Sequence, residues 1–237
     1  MRSQSISAAA LKLGTISLAV LGATVGSQAF AELVPGWYLG GNIGRTYADF
    51  EHAPMYGTVP AASVRNPRDD DRDTGYKLYG GYQLNRNIAV EGGYYDLGNY
   101  NYGFTAAGPI PAGTFNGESR FKGLNLDLVG TLPLSDRFTL LGRVGAAYTR
   151  ARSSVTTTGT VPTGGASRSE NKWGVKYGVG IEYAITQALA VRGEVERYRV
   201  TDPVRGRGNI DMVSVGLVYR FGAPVQQAVY VAPPAPA

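Results

Sequence analysis

The chain contains no cysteine and a single histidine, His52, among its 237 residues. The absence of cysteine excludes disulfides, thiol catalysis and cysteine-based metal sites. The net charge of +5 is small and the two signs are interspersed, so the chain lacks the basic stripe that binds nucleic acid. Beyond the N-terminal region, no apolar run approaches the about 20 residues that a membrane-spanning helix requires. The composition therefore indicates neither a helical membrane protein nor a nucleic-acid-binding protein.

The N-terminal residues 1–31 predict a secretory signal peptide. Two basic residues, Arg2 and Lys12, precede a short apolar run over residues 13–25, and the sequence AFA ends at Ala31. This order of a basic segment, an apolar segment and a small-residue cleavage site is that of an exported protein.

The mature chain is expected to form one domain, residues 32–222, followed by a tail, residues 223–237. The tail is rich in alanine and proline. Because proline cannot donate a hydrogen bond to a β-ladder, the tail is expected to leave the last strand as an extended, solvated segment.

Glycine and tyrosine are abundant, at 33 and 16 residues. They suit closely spaced strands whose amphipathic rings lie at a boundary between water and an apolar phase. Eight segments have the alternating pattern of β-strands. They are Trp37–Arg45, Tyr76–Leu84, Ile88–Gly98, Phe121–Leu132, Phe138–Tyr148, Lys172–Tyr183, Leu189–Tyr198 and Ile210–Phe221.

Short and long connections alternate between these strands. The short ones are Asn85–Asn87, Pro133–Arg137 and Ala184–Ala188, and the long, polar ones are Thr46–Gly75, Asn99–Arg120, Thr149–Asn171 and Arg199–Asn209. Successive strands are therefore predicted to be antiparallel, with all long loops at one end of the sheet and all short turns at the other.

Each strand has one apolar face and one face of small or polar residues. In the last strand the apolar face holds Val213, Val215, Leu217, Tyr219 and Phe221, and the other holds Ser214, Gly216, Val218 and Arg220. A soluble, lipocalin-like barrel would place the apolar faces inside. Roughly 30 apolar residues do not fit the lumen of eight strands, whereas the glycine-rich faces do. The sequence therefore predicts an all-β fold, an eight-stranded antiparallel up-and-down transmembrane barrel with its apolar residues facing lipid.

The inner faces carry charges that a narrow lumen cannot hold unpaired. We therefore predict a salt-bridged network with trapped water rather than an open pore. By alternation its members are five acids against four bases: Glu91, Asp127, Glu182, Glu194, Glu196, Arg143, Lys176, Arg192 and Arg220.

Five stretches resemble the OmpA family of outer-membrane proteins. They are GWYLGGNIG (Gly36–Gly44), LYGGYQLNRNIAVEGGYYDLG (Leu78–Gly98), GIEYAIT (Gly180–Thr186), AVRGEVE (Ala190–Glu196) and VSVGLVYRFG (Val213–Gly222). The resemblance implies long extracellular loops, short periplasmic turns and location in the outer membrane. The tail is similar to the family's linker, which leads in longer members to a peptidoglycan-binding domain, and we expect this chain to be a member without that domain.

The resemblance also implies roles for particular residues. The family has an interior gate in which a glutamate pairs with either an arginine or a lysine. The glutamate and arginine match Glu91 and Arg192, a further interior glutamate matches Glu182, and the lysine position holds Val129. We therefore expect Glu91 to have fewer ways to leave Arg192, and a lumen-filling role is favoured over a working gate. The terminal aromatic, Phe221, is similar to the family's signal for the barrel-insertion machinery.

Four features of the predicted loops suggest weaker alternatives. The acidic sequence RDDDRD (Arg68–Asp73) suggests a cation site, but Thr74 stands where a calcium loop needs glycine, so a solvated loop is predicted. The sequence RGRG (Arg205–Gly208) could meet lipid phosphates, and TTTGTVPTGGASRS could recognise host cells or phage. His52 lacks any motif that would supply an oriented nucleophile, so no enzyme is predicted.

Two functions remain open from the sequence. The first is a structural and interaction protein that contributes to envelope integrity and cell-surface contacts. The second is a narrow channel for ions or small solutes. The partners implied are outer-membrane lipid and lipopolysaccharide, the barrel-assembly machinery, and a host-cell or phage ligand; no cofactor or metal is implied.

Overall fold

The computed structural model describes residues 35–50, 64–106, 112–159, 167–202 and 206–222. The predicted signal peptide, the predicted tail and His52 lie outside these residues. In the described part of the chain, no helix is long and apolar enough to cross a membrane.

The described residues form one antiparallel sheet of nine strands. They are β1 (Gly36–Phe50), β2 (Val64–Asp70), β3 (Arg72–Asn85), β4 (Ile88–Ala106), β5 (Gly113–Pro133), β6 (Phe138–Gly159), β7 (Ser167–Ala184), β8 (Leu189–Asp202) and β9 (Gly206–Arg220).

The sheet closes into a barrel whose wall has eight strand positions, which we call staves. β1 pairs with β3 on one side and with β9 on the other, and every other barrel strand pairs with its neighbours along the chain. β2 does not add a ninth position to the barrel wall. It lies in line with β3, from which Asp71 separates it, and pairs with residues 101–106 of β4, beyond those that pair with β3. Closure pairs the edges of the sheet, and the predicted eight-stranded antiparallel barrel is confirmed.

Several strands are longer than the alternation of apolar residues predicts. β5 begins at Gly113 rather than Phe121, and β6 runs to Gly159 rather than Tyr148. Much of each predicted long loop is therefore paired strand that rises above the apolar band, and the sequence RDDDRD lies on β2 and β3 instead of in a loop. The alternation of apolar residues does not predict these extensions, because their outward faces are polar. Their backbones nevertheless form hydrogen bonds with the neighbouring strands.

The two faces of the barrel are inverted relative to a soluble protein. Large outward side chains are open to the surroundings, with Leu126 62% and Val179 63% exposed. Inward charged side chains are covered, with Glu91 and Lys176 both at 0%. This is the arrangement of a membrane barrel, in which lipid meets the apolar face.

Aromatic side chains form a girdle at each edge of the apolar band. At the end with short turns, ring pairs join Trp37 to Tyr82 and Phe138 to Tyr183. At the opposite end, Tyr148 packs against Trp173 in a tilted arrangement, with ring centroids 5.0 Å apart. Such girdles mark the two membrane–water interfaces.

The lumen is filled in layers, as the inward residues of β8 show. Ala190 belongs to an apolar cluster near the short turns, and Tyr198 and Val200 belong to a second apolar cluster near the long hairpins. Between the two clusters lie Arg192 and the residues that follow it at alternate positions, Glu194 and Glu196, all buried. The charged layer is thus enclosed at both ends.

Candidate functional site

All nine charged residues assigned to the inner faces point into the lumen. Eight of them are buried, and only Arg220, near the short-turn end, is partly exposed, at 18% of its side chain. They come from β4, β5, β6, β7, β8 and β9, so pairing around the whole barrel is what brings them together.

A tenth lumen charge, Lys77 on β3, is missing from the predicted set. Its side chain is fully covered, and its Nζ lies 2.7 Å from Glu194 and 3.0 Å from Glu196. Alternation along β3 would have placed it there, because Lys77 shares the small and polar face of the strand with Gly81 and Gln83. Lys77 changes the balance of the network from five acids against four bases to five against five.

Six of the ten charges form a closed ring in which the signs alternate. Around the ring the order is Arg143, Asp127, Lys176, Glu196, Lys77 and Glu194, which pairs with Arg143 again. Lys176 Nζ lies 2.6 Å from Asp127 Oδ2 and 2.8 Å from Glu196 Oε1. Each ring member therefore has a neighbour of opposite sign on both sides.

The other four charges form a branch that runs from the ring toward the short turns. Arg143 Nη1 lies 2.8 Å from Glu91 Oε2, and Arg192 Nη1 lies 2.5 Å from Glu91 Oε1. Arg192 Nη2 lies 2.9 Å from Glu182 Oε2. Glu182 also pairs with Arg220, which is the last member of the branch. The signs alternate here too, so all ten charges form one connected network.

Glu91 pairs with Arg192, as the family resemblance implies, and also with a second cation. Val129 does leave the family's lysine position without a cation, and Val129 is buried in the apolar cluster near the short turns. However, Arg143 holds the second oxygen of Glu91 while Arg192 holds the first. Glu91 thus bridges two arginines, an arrangement that the sequence did not indicate.

Neutral groups on β1 complete the enclosure of the network. The Tyr38 hydroxyl donates a hydrogen bond of 2.9 Å to Glu91 Oε1. Asn42 donates to Glu194 Oε2, also at 2.9 Å. With these two residues, all eight staves contribute a side chain to one hydrogen-bonded unit.

The electrostatics make the network interdependent. Removing a carboxylate or an ammonium group from water costs several kcal/mol, and pairing compensates for that cost only with good geometry and complete hydrogen bonding. Here every charge has at least one partner of opposite sign, and the net charge of the ten is zero. The arrangement can hold eight strands in register and obstruct the lumen.

Phe221 lies directly after β9 at the end with short turns. Its amide donates to the carbonyl oxygen of Trp37 at 2.9 Å, and its ring packs edge-on against Tyr219. The side chain is 53% exposed. It is therefore available to lipid or to another protein at the seam where the first and last strands meet.

The acidic sequence near the top of β3 is built into the sheet. The carboxylate of Asp73 accepts hydrogen bonds from the amides of Thr74 and Asn99, at 2.7 and 2.5 Å. Among the described residues, no group of three or more potential ligands is placed to hold a metal ion. The Asp73 carboxylate thus connects β3 to the bulge in β4.

Comparison with known proteins identifies relatives across most of the chain. The family model of the outer membrane protein beta-barrel domain matches residues 15–221. Outer membrane protein A of Klebsiella pneumoniae is 31% identical over 191 residues, which cover 78% of this chain and 51% of that protein. Outer membrane protein A of Shigella flexneri is 30% identical over 239 residues, covering 96% and 60%. The chain thus spans about half to three-fifths of the length of these relatives.

Among solved structures, the outer membrane protein OprG from Pseudomonas aeruginosa aligns over 79% of this chain and 97% of that chain. The sequence identity is 15% and the TM-score is 0.47. A likeness at this level supports no statement about function.

Proposed function

Because this chain belongs to the outer membrane protein beta-barrel domain family, and folds as an OmpA-type barrel of the outer membrane, we propose that it is a structural and interaction protein. In this role it contributes to envelope integrity and to contacts at the cell surface. The observation that carries the proposal is the single network of ten charges that fills the middle of the lumen.

The layers of the lumen favour this role over a channel. Above the network, Tyr95, Phe121 and Tyr198 belong to a buried apolar cluster, and each is 0% exposed. An ion that entered from outside would have to leave water, pass these rings and then displace charges that each have a partner of opposite sign. Each of these steps opposes conduction.

The extended hairpins support a role in surface contacts. β5 and β6 remain paired up to Gly113 and Gly159. Along β6, Gly159 lies 11 residues beyond Tyr148, which belongs to the aromatic girdle. This corresponds to roughly 35 Å of strand. The outward residues of this extension are polar or charged, and a rigid, solvated hairpin suits recognition by other molecules.

Bilayer conductance distinguishes the proposal from the alternative, a narrow low-conductance channel. Purified protein reconstituted in a planar bilayer is expected to give no steady conductance steps, because the network and the apolar cluster block the path. Steady conductance of the unaltered protein would contradict this expectation and support the channel.

A charge-balanced variant serves as the matched comparison. The triple variant Lys77→Ser, Glu196→Ser and Tyr198→Ala removes one cation, one anion and one ring of the apolar cluster, so no net charge is introduced. This variant is expected to conduct in the bilayer in which the unaltered protein is silent. If both proteins are silent while both insert, the side chains named here do not control the width of the lumen.

Replacing Phe221 with alanine is expected to reduce the amount of assembled barrel in cells severalfold. The reason is the proposed recognition of this terminal aromatic side chain by the barrel-assembly machinery. The measurement is the fraction of the chain that migrates as a compact, heat-modifiable band in outer-membrane fractions. Refolding of the purified variant into lipid vesicles is expected to change little, because the ring is half exposed and covers few other groups.

Leu134→Ala provides the control for this prediction. Leu134 lies in a short turn at the same end of the barrel and is 58% exposed, close to the 53% of Phe221. It should leave assembly in cells unchanged. Equal assembly of the Phe221 variant and the Leu134 variant would remove the proposed recognition role.

A further inference from the structure

Four cations lie together on the outward face of the β5–β6 hairpin. They are Arg120 and Lys122 on β5 and Arg150 and Arg152 on β6. With Glu118 and Ser154, they line a shallow cleft of about 200 Å³. We refer to these four cations and the space between them as the basic cleft. The cleft contains a single carboxylate, that of Glu118.

The pairing of the strands forces like charges into opposition. Arg120 lies directly across from Arg152, and Lys122 lies directly across from Arg150. Like charges at facing positions of neighbouring strands destabilise a sheet. The fold itself gains nothing from this arrangement, which points to a ligand of opposite charge.

Protein groups do not neutralise the basic cleft within the part of the chain that the structure describes. Arg120 donates to the neutral amide oxygen of Asn99 at 2.5 Å, and Arg150 makes a long contact of 3.5 Å with Ser169. No ion pair joins any of the four cations to a carboxylate among these residues. Asp96 lies across from Lys122 on β4, but its carboxylate accepts hydrogen bonds from Tyr76 and from the amide of Gly98.

Elsewhere on the outward surface, an arginine at a similar height is paired. Arg197 on β8 binds Asp211 on β9 through two hydrogen bonds of 2.6 Å each. The Arg197–Asp211 pair shows that this barrel can satisfy a guanidinium group at this level with its own carboxylate. None of the four cations of the basic cleft forms such an ion pair on the described strands.

The height of the basic cleft places it among lipid headgroups. Lys122 is two residues above the lipid-facing Leu124, and Arg150 is two residues above Tyr148 of the aromatic girdle. Two residues of strand correspond to about 7 Å. The cations therefore begin where the apolar band ends, on the side of the long hairpins, which faces the outer leaflet.

From these observations we propose that the basic cleft binds a phosphate group on the headgroup of an outer-leaflet lipid. Arginine forks match the geometry of phosphate oxygens, and a phosphate monoester carries close to two negative charges at neutral pH. Such a group would separate the two facing pairs of like charges and neutralise most of the excess of three positive charges. This inference goes beyond the proposed function, since it requires only a barrel in the outer membrane.

The experiment measures binding of lipopolysaccharide to the purified barrel in detergent by native mass spectrometry. The double variant Arg120→Gln and Arg152→Gln is expected to bind at least about tenfold more weakly, because two charge-assisted hydrogen bonds to phosphate are lost. Dephosphorylated lipopolysaccharide is expected to bind the unaltered protein as weakly as the double variant binds the intact lipid. Equal binding of the intact lipid by both proteins would overturn the proposal.

The control removes the same charge from another part of the barrel. Arg45→Gln with Arg72→Gln takes two outward cations from β1 and β3, neither of which pairs with β5 or β6. This variant is expected to bind as the unaltered protein does. A loss of binding equal to that of the cleft variant would show attraction by overall charge, and would contradict a site. Heat-modifiable migration confirms in each case that the barrel is folded.

Two competitors identify the source of the phosphate. Inorganic phosphate at millimolar concentration is expected to leave lipopolysaccharide bound, because the lipid also contacts the apolar band below the cleft. Displacement by inorganic phosphate alone would reassign the cleft to a free anion, and displacement only by a sulfated polysaccharide would reassign it to a soluble glycan. Either displacement overturns the lipid assignment.

Discussion

Replacing Arg143 with alanine is expected to lower the free energy of unfolding of the barrel by about 3–5 kcal/mol, the range for breaking a buried ion pair from one side. Arg143 joins the ring to the branch, since it contacts Glu91, Asp127 and Glu194. Without its guanidinium, the network holds five acids against four bases in a lumen that is covered at both ends. One negative charge of the network is then left without a compensating cation.

The measurement is a urea titration of the purified protein refolded into lipid vesicles, followed by the heat-modifiable gel shift. Arg86→Ala serves as the control, because Arg86 lies in the short, exposed turn between β3 and β4. This control is expected to change the free energy of unfolding by no more than about 0.5 kcal/mol. An Arg143 variant as stable as the control would show that the lumen tolerates the unpaired charge.

A double variant separates the loss of charge balance from the loss of packing. Arg143→Ala combined with Glu194→Gln restores a neutral network, although both changes remove hydrogen bonds. The double variant is expected to recover part of the stability that the single variant loses. If it were less stable than Arg143→Ala alone, packing rather than charge balance would be the main role of Arg143.

The sequence was sufficient for the architecture of the barrel. Strict alternation, as in the run from Val213 to Phe221, separates two environments at every second residue, and this pattern does not depend on distant contacts. The number of staves and the direction of the strands followed from eight such runs and from alternating connection lengths. The same reasoning placed nine charges in the lumen without any knowledge of their partners.

Apart from the Glu91–Arg192 pair, which the family resemblance implies, the sequence could not give the pairing of these charges. Glu91 and Arg192 are 101 residues apart, and which cations reach Glu91 depends on the stagger of strands around the closed barrel. Arg143 reaches Glu91 from β6, two staves away, which no local pattern encodes. The closed ring of six charges is therefore a property of barrel closure rather than of any single strand.

For a related reason, the strand ends and the basic cleft could not be predicted from the sequence. Above the membrane the outward face of β6 carries Arg150 and Arg152, so apolar alternation ends although pairing with β5 and β7 continues. Only the register reveals that these arginines face Lys122 and Arg120. The features that carry the proposed lipid site thus arise from pairing between strands whose sequence resembles that of a loop.

Gly216→Ala is expected to destabilise the barrel by about 1–3 kcal/mol or more and to slow its closure, because the site cannot accommodate a methyl group. Gly216 faces Asn42 across the seam between β9 and β1. A Cβ at this position would overlap the carbonyl oxygen of Gly41 and the amide oxygen of Asn42, and would lie 2.7 Å from the Asn42 Cα. Two of these three atoms are backbone, so relief requires the paired strands to move apart.

Gly142→Ala, the same substitution at a glycine on the outer face of the barrel, provides the control. Gly142 lies on β6, and a Cβ there would meet nothing within 4 Å. Replacing this glycine is expected to leave stability unchanged or to raise it by up to about 1 kcal/mol, because alanine has less backbone freedom to lose on folding. The two variants are compared by urea midpoint and by the rate at which the compact band appears during refolding into vesicles. Equal behaviour would show that the seam opens enough to admit a side chain, and that close approach of β1 and β9 does not limit closure.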